Sequence, residues 1–198
     1  MSVNLLPFPP SSRIRWRRLD VPGHEEAHIS RTDAGWLLSG EVHAEESGVD
    51  AWLRYTIKCN PAWRTLTAAV GGTVDGLPFS LVLTADGAGH WAREGIPVAE
   101  LNGALDVDLG FTPATNTIPI RRLSLERGAS APVRTAWLRF PELRVEPLDQ
   151  TYTREDDLRF RYDASVDGAP FTARLDTDQF GRVMRYEGLW EAELADPA

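Results

Sequence analysis

The sequence is 198 residues long and carries 21 basic against 29 acidic residues, a net charge of −8. That balance disfavours binding to a phosphate backbone, so nucleic acid is not an expected partner. One cysteine, Cys59, excludes an internal disulfide and a multi-cysteine zinc site, and no apolar run reaches the ~18 residues of a membrane-spanning helix. The 42% hydrophobic and 25% charged fractions are those of a globular chain. Its length fits one domain over 1–198, with 1–12 and 195–198 as loose ends. The Pro-broken start Met1-Ser-Val-Asn-Leu-Leu-Pro-Phe-Pro-Pro10 makes no signal-peptide core, so a cytoplasmic protein is expected. Twenty of the 21 basic residues are arginine; the exception is Lys58.

Apolar residues recur with period two along most of the chain. Leu53-Arg-Tyr-Thr-Ile-Lys-Cys59, Phe79-Ser-Leu-Val-Leu83 and Leu158-Arg-Phe-Arg-Tyr162 alternate as half-buried strands do. The pattern predicts strands near 13–20, 25–32, 35–45, 50–59, 63–73, 78–85 and 89–93. Further strands are predicted near 102–109, 117–126, 135–145, 157–163, 170–176 and 182–187. Hairpin signals separate several of them, among them Thr32-Asp-Ala-Gly35, Asp75-Gly76, Asp86-Gly87 and Asp167-Gly168. No sustained helical period exists; Val98–Leu101 makes one turn at most. An antiparallel all-β chain follows, with more strands than a flat sheet tolerates, so the sheet must curl or close. The stretches Gly110–Ile118 and Gly128–Pro132 are breaks within it, and neither is long enough to link two domains.

The central segment Asp106-Val-Asp-Leu-Gly-Phe-Thr-Pro-Ala-Thr-Asn-Thr-Ile-Pro-Ile-Arg-Arg-Leu123 resembles the core motif of the bacterial putative glycolipid-binding family. Gly87-Ala-Gly-His-Trp91 precedes it. Trp137, Pro141-Glu-Leu143, Gln150-Thr-Tyr152, Arg161-Tyr162, Phe171, Gly181-Arg-Val183 and Leu189-Trp190 follow in order. The resemblance implies a single antiparallel sheet rolled spirally into a half-barrel, similar to bacterial lipid and lipoprotein carriers. It also implies a lipidic ligand.

Several constellations carry chemistry. Asp106 and Asp108 share one face of a strand, and the apolar phase slips by one across Arg121-Arg122, as a β-bulge would make it. Either one arginine points into the roll and, with Asn116, binds an anionic or polyhydroxyl head group, or the arginines pair with Asp106 and Asp108 and lock a loop. The two should differ, one inward and one solvent-facing. No third ligand accompanies the two aspartates, so no metal and no cofactor is called for.

Three Trp-x-Arg pairs, Trp52/Arg54, Trp91/Arg93 and Trp137/Arg139, place an indole beside a guanidinium on one strand face. That surface suits an amphiphile bearing sugar or phosphate, or else each pair is a cation–π stack. Tyr162 completes the candidate ligand set of Trp52, Arg54, Asp106, Asp108, Asn116, Arg121, Arg122, Trp137 and Arg139. His24, His28, His43 and His90 form no ligand or catalytic spacing, Cys59 sits on an apolar strand face, and no nucleophile or phosphate-loop motif occurs.

A non-enzymatic binder of an amphiphilic small molecule, held in an apolar cavity inside the roll, is therefore expected. The alternatives are an enzyme on a lipid-like or aromatic substrate in the same cavity, and a structural or interaction protein whose roll its own side chains fill. A cavity of about 300 Å³ or more separates the first two from the third. An inward titratable group with a strongly shifted pKa favours the enzyme.

Overall fold

The computed structural model describes residues 5–193. Eight strands leave the middle of one sheet by consecutive hairpins. They are β1 (Ser11–Arg18), β2 (Gly23–Thr32), β3 (Gly35–Glu46), β4 (Val49–Cys59), β5 (Thr65–Val74), β6 (Leu77–Ala85), β7 (Trp91–Arg93) and β8 (Ile96–Pro97). The chain then crosses to the opposite edge as β9 (Asp106–Leu109) and passes through the helix α1 (Thr117–Leu123). It returns through β10 (Ser130–Arg139), β11 (Arg144–Asp156), β12 (Arg159–Val166), β13 (Ala169–Thr177), β14 (Val183–Tyr186) and β15 (Trp190–Glu193). Strand β15 pairs antiparallel with β1, which makes one sheet of 15 strands in the order 8-7-6-5-4-3-2-1-15-14-13-12-11-10-9.

The hairpins follow from turn chemistry. Asp75-Gly76 (φ 49° and 74°) and Asp167-Gly168 (φ 52° and 78°) put both central residues in the left-handed region, as the tight turns matching strand twist require. Along β4, every second residue from Ala51 to Cys59 is buried and the residues between are exposed. The buried faces of all strands turn to the inside of the roll. Edge strand β9 swings round to the start of β5, where the Thr65 N–H donates to the Leu105 carbonyl (3.0 Å) and the Val107 N–H donates to Thr65 Oγ1 (3.1 Å). Strands β6 to β8 run on beyond that contact, so the sheet is a spiral and not a closed barrel.

Inside the spiral lies the chain itself. Every residue from Phe111 to Ile120 is buried. Phe111, Ala114 and Ile118 pack with the inner faces of β1 to β4, whereas Ile120 packs with Val133, Tyr152, Phe160 and Leu175 of the other half. This plug replaces the strand predicted at 117–126. Thr112 Oγ1 accepts the Ala114 N–H (2.9 Å), Pro113 follows at a helical φ of −78°, and a 3-10 turn over Ala114–Asn116 runs straight into α1. Pro119 is third in α1, where an N–H has no intrahelical acceptor to lose, whereas in a central strand it would break the ladder. The phase slip at Arg121-Arg122 is the end of that helix, which Ser124 closes in the left-handed conformation (φ 45°), and not a β-bulge.

Three further expectations are corrected. The sheet is antiparallel throughout except at β9, which pairs parallel with β10 because the crossover brings it back in the same direction. The strand predicted at 135–145 contains a turn at Phe140–Leu143, and the long β11 follows it. Residues 5–10 of the expected loose start lie along the roll, with the Leu6 N–H donating to the Gln179 carbonyl (2.8 Å) and Phe8 buried, and Ser11 and Ser12 begin β1. Residues 1–4 and the other expected loose end, 195–198, lie outside the described residues. No helix among the described residues is long and apolar enough to cross a membrane.

Cys59 ends β4 with its side chain in the core, and burial pushes its thiol up to about 12. Native protein at pH 7 should therefore react with a thiol reagent far more slowly than denatured protein. Equal labelling rates in the two states would contradict its placement.

Candidate functional site

Four polar contacts fasten the plug and the residues on either side of it to the walls of the roll. Arg122 grips Asp106 side-on, with Nε to Oδ1 at 2.8 Å and Nη2 to Oδ2 at 2.6 Å, and Asp106 is fully buried. Gln150 Nε2 donates to Asp108 Oδ2 (2.6 Å), the Tyr152 hydroxyl donates to Asn116 Oδ1 (2.7 Å), and Thr112 donates to Glu25 Oε1 (2.8 Å). Tyr162 packs edge-on against Tyr152 at 5.4 Å. Asp106, Asp108, Asn116, Arg122 and Tyr162 are therefore brought together in the interior, and each of the four polar side chains is answered by the chain itself. Arg121 does not join this set, and it is not solvent-facing as the outward arginine was expected to be. It is half-buried at one end of the roll, donating through Nη1 to the Leu6 and Phe180 carbonyls (2.9 and 3.3 Å).

Glu25, which the sequence pattern did not single out, is a strongly perturbed acid in the interior. It is 1% exposed, and its Oε1 accepts from the Tyr55 hydroxyl (2.6 Å) as well as from Thr112. Burial pushes it up to about 8, against the lowering effect of those two bonds. Its Oε2 has no partner among the described residues and is left to carry the proton. Burial likewise pushes Asp108 up to about 6, opposed by the bonds from Gln150 and Thr115. The only sequence signal for Glu25 is an acid at an inward position of a strand, where an apolar residue belongs.

The outer face of β1 to β5 carries a groove of about 730 Å³. Cross-strand register builds it. His24 stands opposite His43 and His43 opposite Trp52, while Arg15 stands opposite Glu26, Glu26 opposite Glu41, and Glu41 opposite Arg54. Trp52, 54% exposed, stacks on His43 at 4.1 Å, and His43 Nε2 is held by Asp50 at 2.8 Å. Beside this aromatic row run two ion pairs, Arg15–Glu26 (2.7 Å) and Arg54–Glu41 (2.9 Å), with all four side chains well exposed. A second hollow of about 490 Å³ shares Glu26, Glu41 and Arg54 and continues the groove toward His28 and Thr56.

Of the three Trp-x-Arg pairs only Trp52/Arg54 forms a surface of this kind. Trp91 is core and donates to the Ala104 carbonyl. The Arg139 guanidinium lies 5.4 Å over Trp137 and is held by Asp167 (2.6 Å), the stacked arrangement that was the alternative. The apolar cavity expected inside the roll is replaced by the Phe111–Ile120 plug. Among the described residues no group of three His, Cys, Asp or Glu is placed to hold a metal ion.

An open spiral sheet plugged by its own crossover, with a polar-aromatic groove outside, defines the class of protein. The chain belongs to the family described as "Putative glycolipid-binding", whose model matches residues 13–192. It is similar to a solved DUF1089 family protein from Pseudomonas aeruginosa, with 30% identity, a TM-score of 0.70, and coverage of 94% of this chain and 95% of that one. No curated protein matches it in sequence.

Two outcomes follow from the interior contacts. Arg122→Ala strands the buried Asp106 carboxylate and should cost about 3–5 kcal/mol in urea unfolding, against under ~1 kcal/mol for Arg15→Ala at the surface. A loss below ~1 kcal/mol for Arg122→Ala would contradict the pairing. For pH, both shifted acids bind a proton more tightly folded than unfolded, so their contribution is complete below the unfolded value and is lost as pH rises. Asp108 loses it through about 6 and Glu25 through about 8. Stability should fall by about 1.4 kcal/mol per pH unit between ~pH 6 and ~7.5, and Glu25→Gln should flatten that slope. The same slope in the variant would show that Glu25 is not its source.

Proposed function

We propose that this protein binds, without catalysis, an amphiphile whose head group is polyhydroxylated, as a glycolipid's is, and that the head group sits in the outer groove around Trp52. The observation that carries this reading is the exposed Trp52 ring, stacked on His43 and flanked by two exposed Arg–Glu pairs in a groove of about 730 Å³. A sugar presents an apolar C–H face and a rim of hydroxyls. The indole suits the face, while guanidinium donors and carboxylate acceptors suit the rim. Exposed ion pairs are worth little in water, so opening them toward hydroxyls is cheap. The family description supports a glycolipid-type ligand. Trp52 and Arg54 are the members of the sequence-derived set that this reading uses. A cytoplasmic setting is proposed with it.

The enzyme alternative has one observation in its favour, the perturbed Glu25. Glu25 borders the groove, but its side chain is buried and its carboxyl is bonded to Tyr55 and Thr112 on the inner side of β2. The binding reading is tested by calorimetry with a soluble alkyl glucoside below its micelle concentration, beside an uncharged alkyl ether lacking the sugar. The glucoside should bind and the ether should not, and Trp52→Ala should lose at least about tenfold in affinity with an unchanged melting temperature. Equal binding of both amphiphiles, or full affinity in the variant, would overturn it.

A further inference from the structure

At the opposite end of β2 from the groove, the roll has a second, differently built opening. It is a pocket of about 290 Å³ bounded by the N-terminal segment, the β2–β3 hairpin, the β4–β5 turn and the end of α1. Its wall is aromatic. Trp36 and Trp63 stack at 4.5 Å and 17°, and Phe8 meets both edge-on at 5.4 Å.

Two arginines enter the same pocket. Arg31 lies 6.0 Å over Trp36, and Arg121 lies 5.9 Å from the rings of both Phe8 and Trp63. Neither arginine has a carboxylate partner among the described residues, in contrast to the side-on grip of Arg122 on Asp106. Arg121 is half-buried, its Nη1 is committed to two backbone carbonyls, and its buried Nε–H finds no acceptor among the described residues. Burial lowers its pKa, with Asp178 opposing that effect from a distance, so the cation sits in surroundings that favour a counter-charge. Asp33, on the hairpin turn, is the pocket's carboxylate, and it is exposed at the rim.

From this juxtaposition of an aromatic box and two unpaired guanidinium groups, we propose that the pocket is a binding site for a small organic anion, a carboxylate on a flat apolar body. The body lies against Trp36, Trp63 and Phe8, and the carboxylate is shared by Arg121 and Arg31. Trp36 and Trp63 are stacked on each other and Trp63 and Phe8 are largely buried, so the flat body makes its dispersion contact with the parts of these rings that border the pocket, while the carboxylate takes one charge-assisted bond from each arginine. Inorganic anions satisfy only the first demand and neutral aromatics only the second.

The site stands apart from the proposed head-group groove, and calorimetry at low salt separates the two. The probes are 2-naphthoate, its neutral isostere 2-naphthamide, and inorganic phosphate. Naphthoate should bind at least about tenfold tighter than either of the others. Arg31→Ala, at an exposed position whose side chain has no polar partner among the described residues, should weaken naphthoate about three- to tenfold, and Arg121→Gln at least about tenfold. Arg93→Ala, which removes an equal charge elsewhere, and Trp52→Ala should leave naphthoate binding unchanged. Naphthamide binding as tightly as naphthoate, phosphate binding as tightly as naphthoate, or wild-type affinity in Arg31→Ala would each overturn the proposal. Because the Arg31 side chain makes no hydrogen bond among the described residues, that last outcome holds even if Arg121→Gln fails to fold.

Discussion

A wide sheet with one apolar face must have that face covered, and a sheet that curls encloses a space its strands alone do not fill. Here the covering comes from the crossover that links the two halves of the sheet. Phe111–Ile120 is wholly buried and touches both halves, Ile118 on the side of β1 to β4 and Ile120 on the side of β10 to β14. The polar groups of this segment are what make its seat specific. Asn116 with Tyr152 and Thr112 with Glu25 tie the plug itself to the walls, while Asp106 with Arg122 and Asp108 with Gln150 hold the strand before it and the helix end after it. Buried polar groups without partners are costly, so a slid or rotated plug would leave several unanswered at once.

Because the roll is filled from within, the head-group site proposed here lies on its outer face. The lipid-carrier analogy places an amphiphile in the hollow of a half-barrel, but this hollow holds chain. What remains for a ligand is the pattern on the outward face, where rows of side chains across β1 to β5 place His24, His43 and Trp52 together. At the other end of those strands, Phe8, Trp36 and Trp63 meet Arg31 and Arg121. Arg121 owes its position there to the plug, since α1 ends where the roll opens. The two neighbouring arginines thus divide, Arg122 holding the interior and Arg121 facing the opening.

Period-two alternation and Asp-Gly turns carried most of the fold in the sequence, because both express local geometry. The plug was the exception. Its apolar residues are buried on all sides, so Ile118 and Ile120 mimic strand alternation without being in a strand. The contrary signal was present in Thr112-Pro113, a cap followed by proline at a first helical position, and in Pro119, which a central strand cannot hold. Trp52 and Arg54 were legible because i and i+2 share a strand face. His24, His43 and the trio Phe8, Trp36 and Trp63 were not, since they meet only through register and closure that no local spacing encodes.

Hydrogen exchange measured by mass spectrometry, with and without a saturating soluble alkyl glucoside, addresses the central claim most directly. With the plug as a permanent part of the core and the ligand outside, amides of Phe111–Ile120 should exchange as slowly as those of β1 in the free protein and should not change on binding. New protection should instead appear over β3 and β4, between Glu41 and Arg54. Fast exchange of Phe111–Ile120 in the free protein, with protection gained there on binding and none over β3 and β4, would contradict the account, because it would make the plug a gate to an interior ligand site.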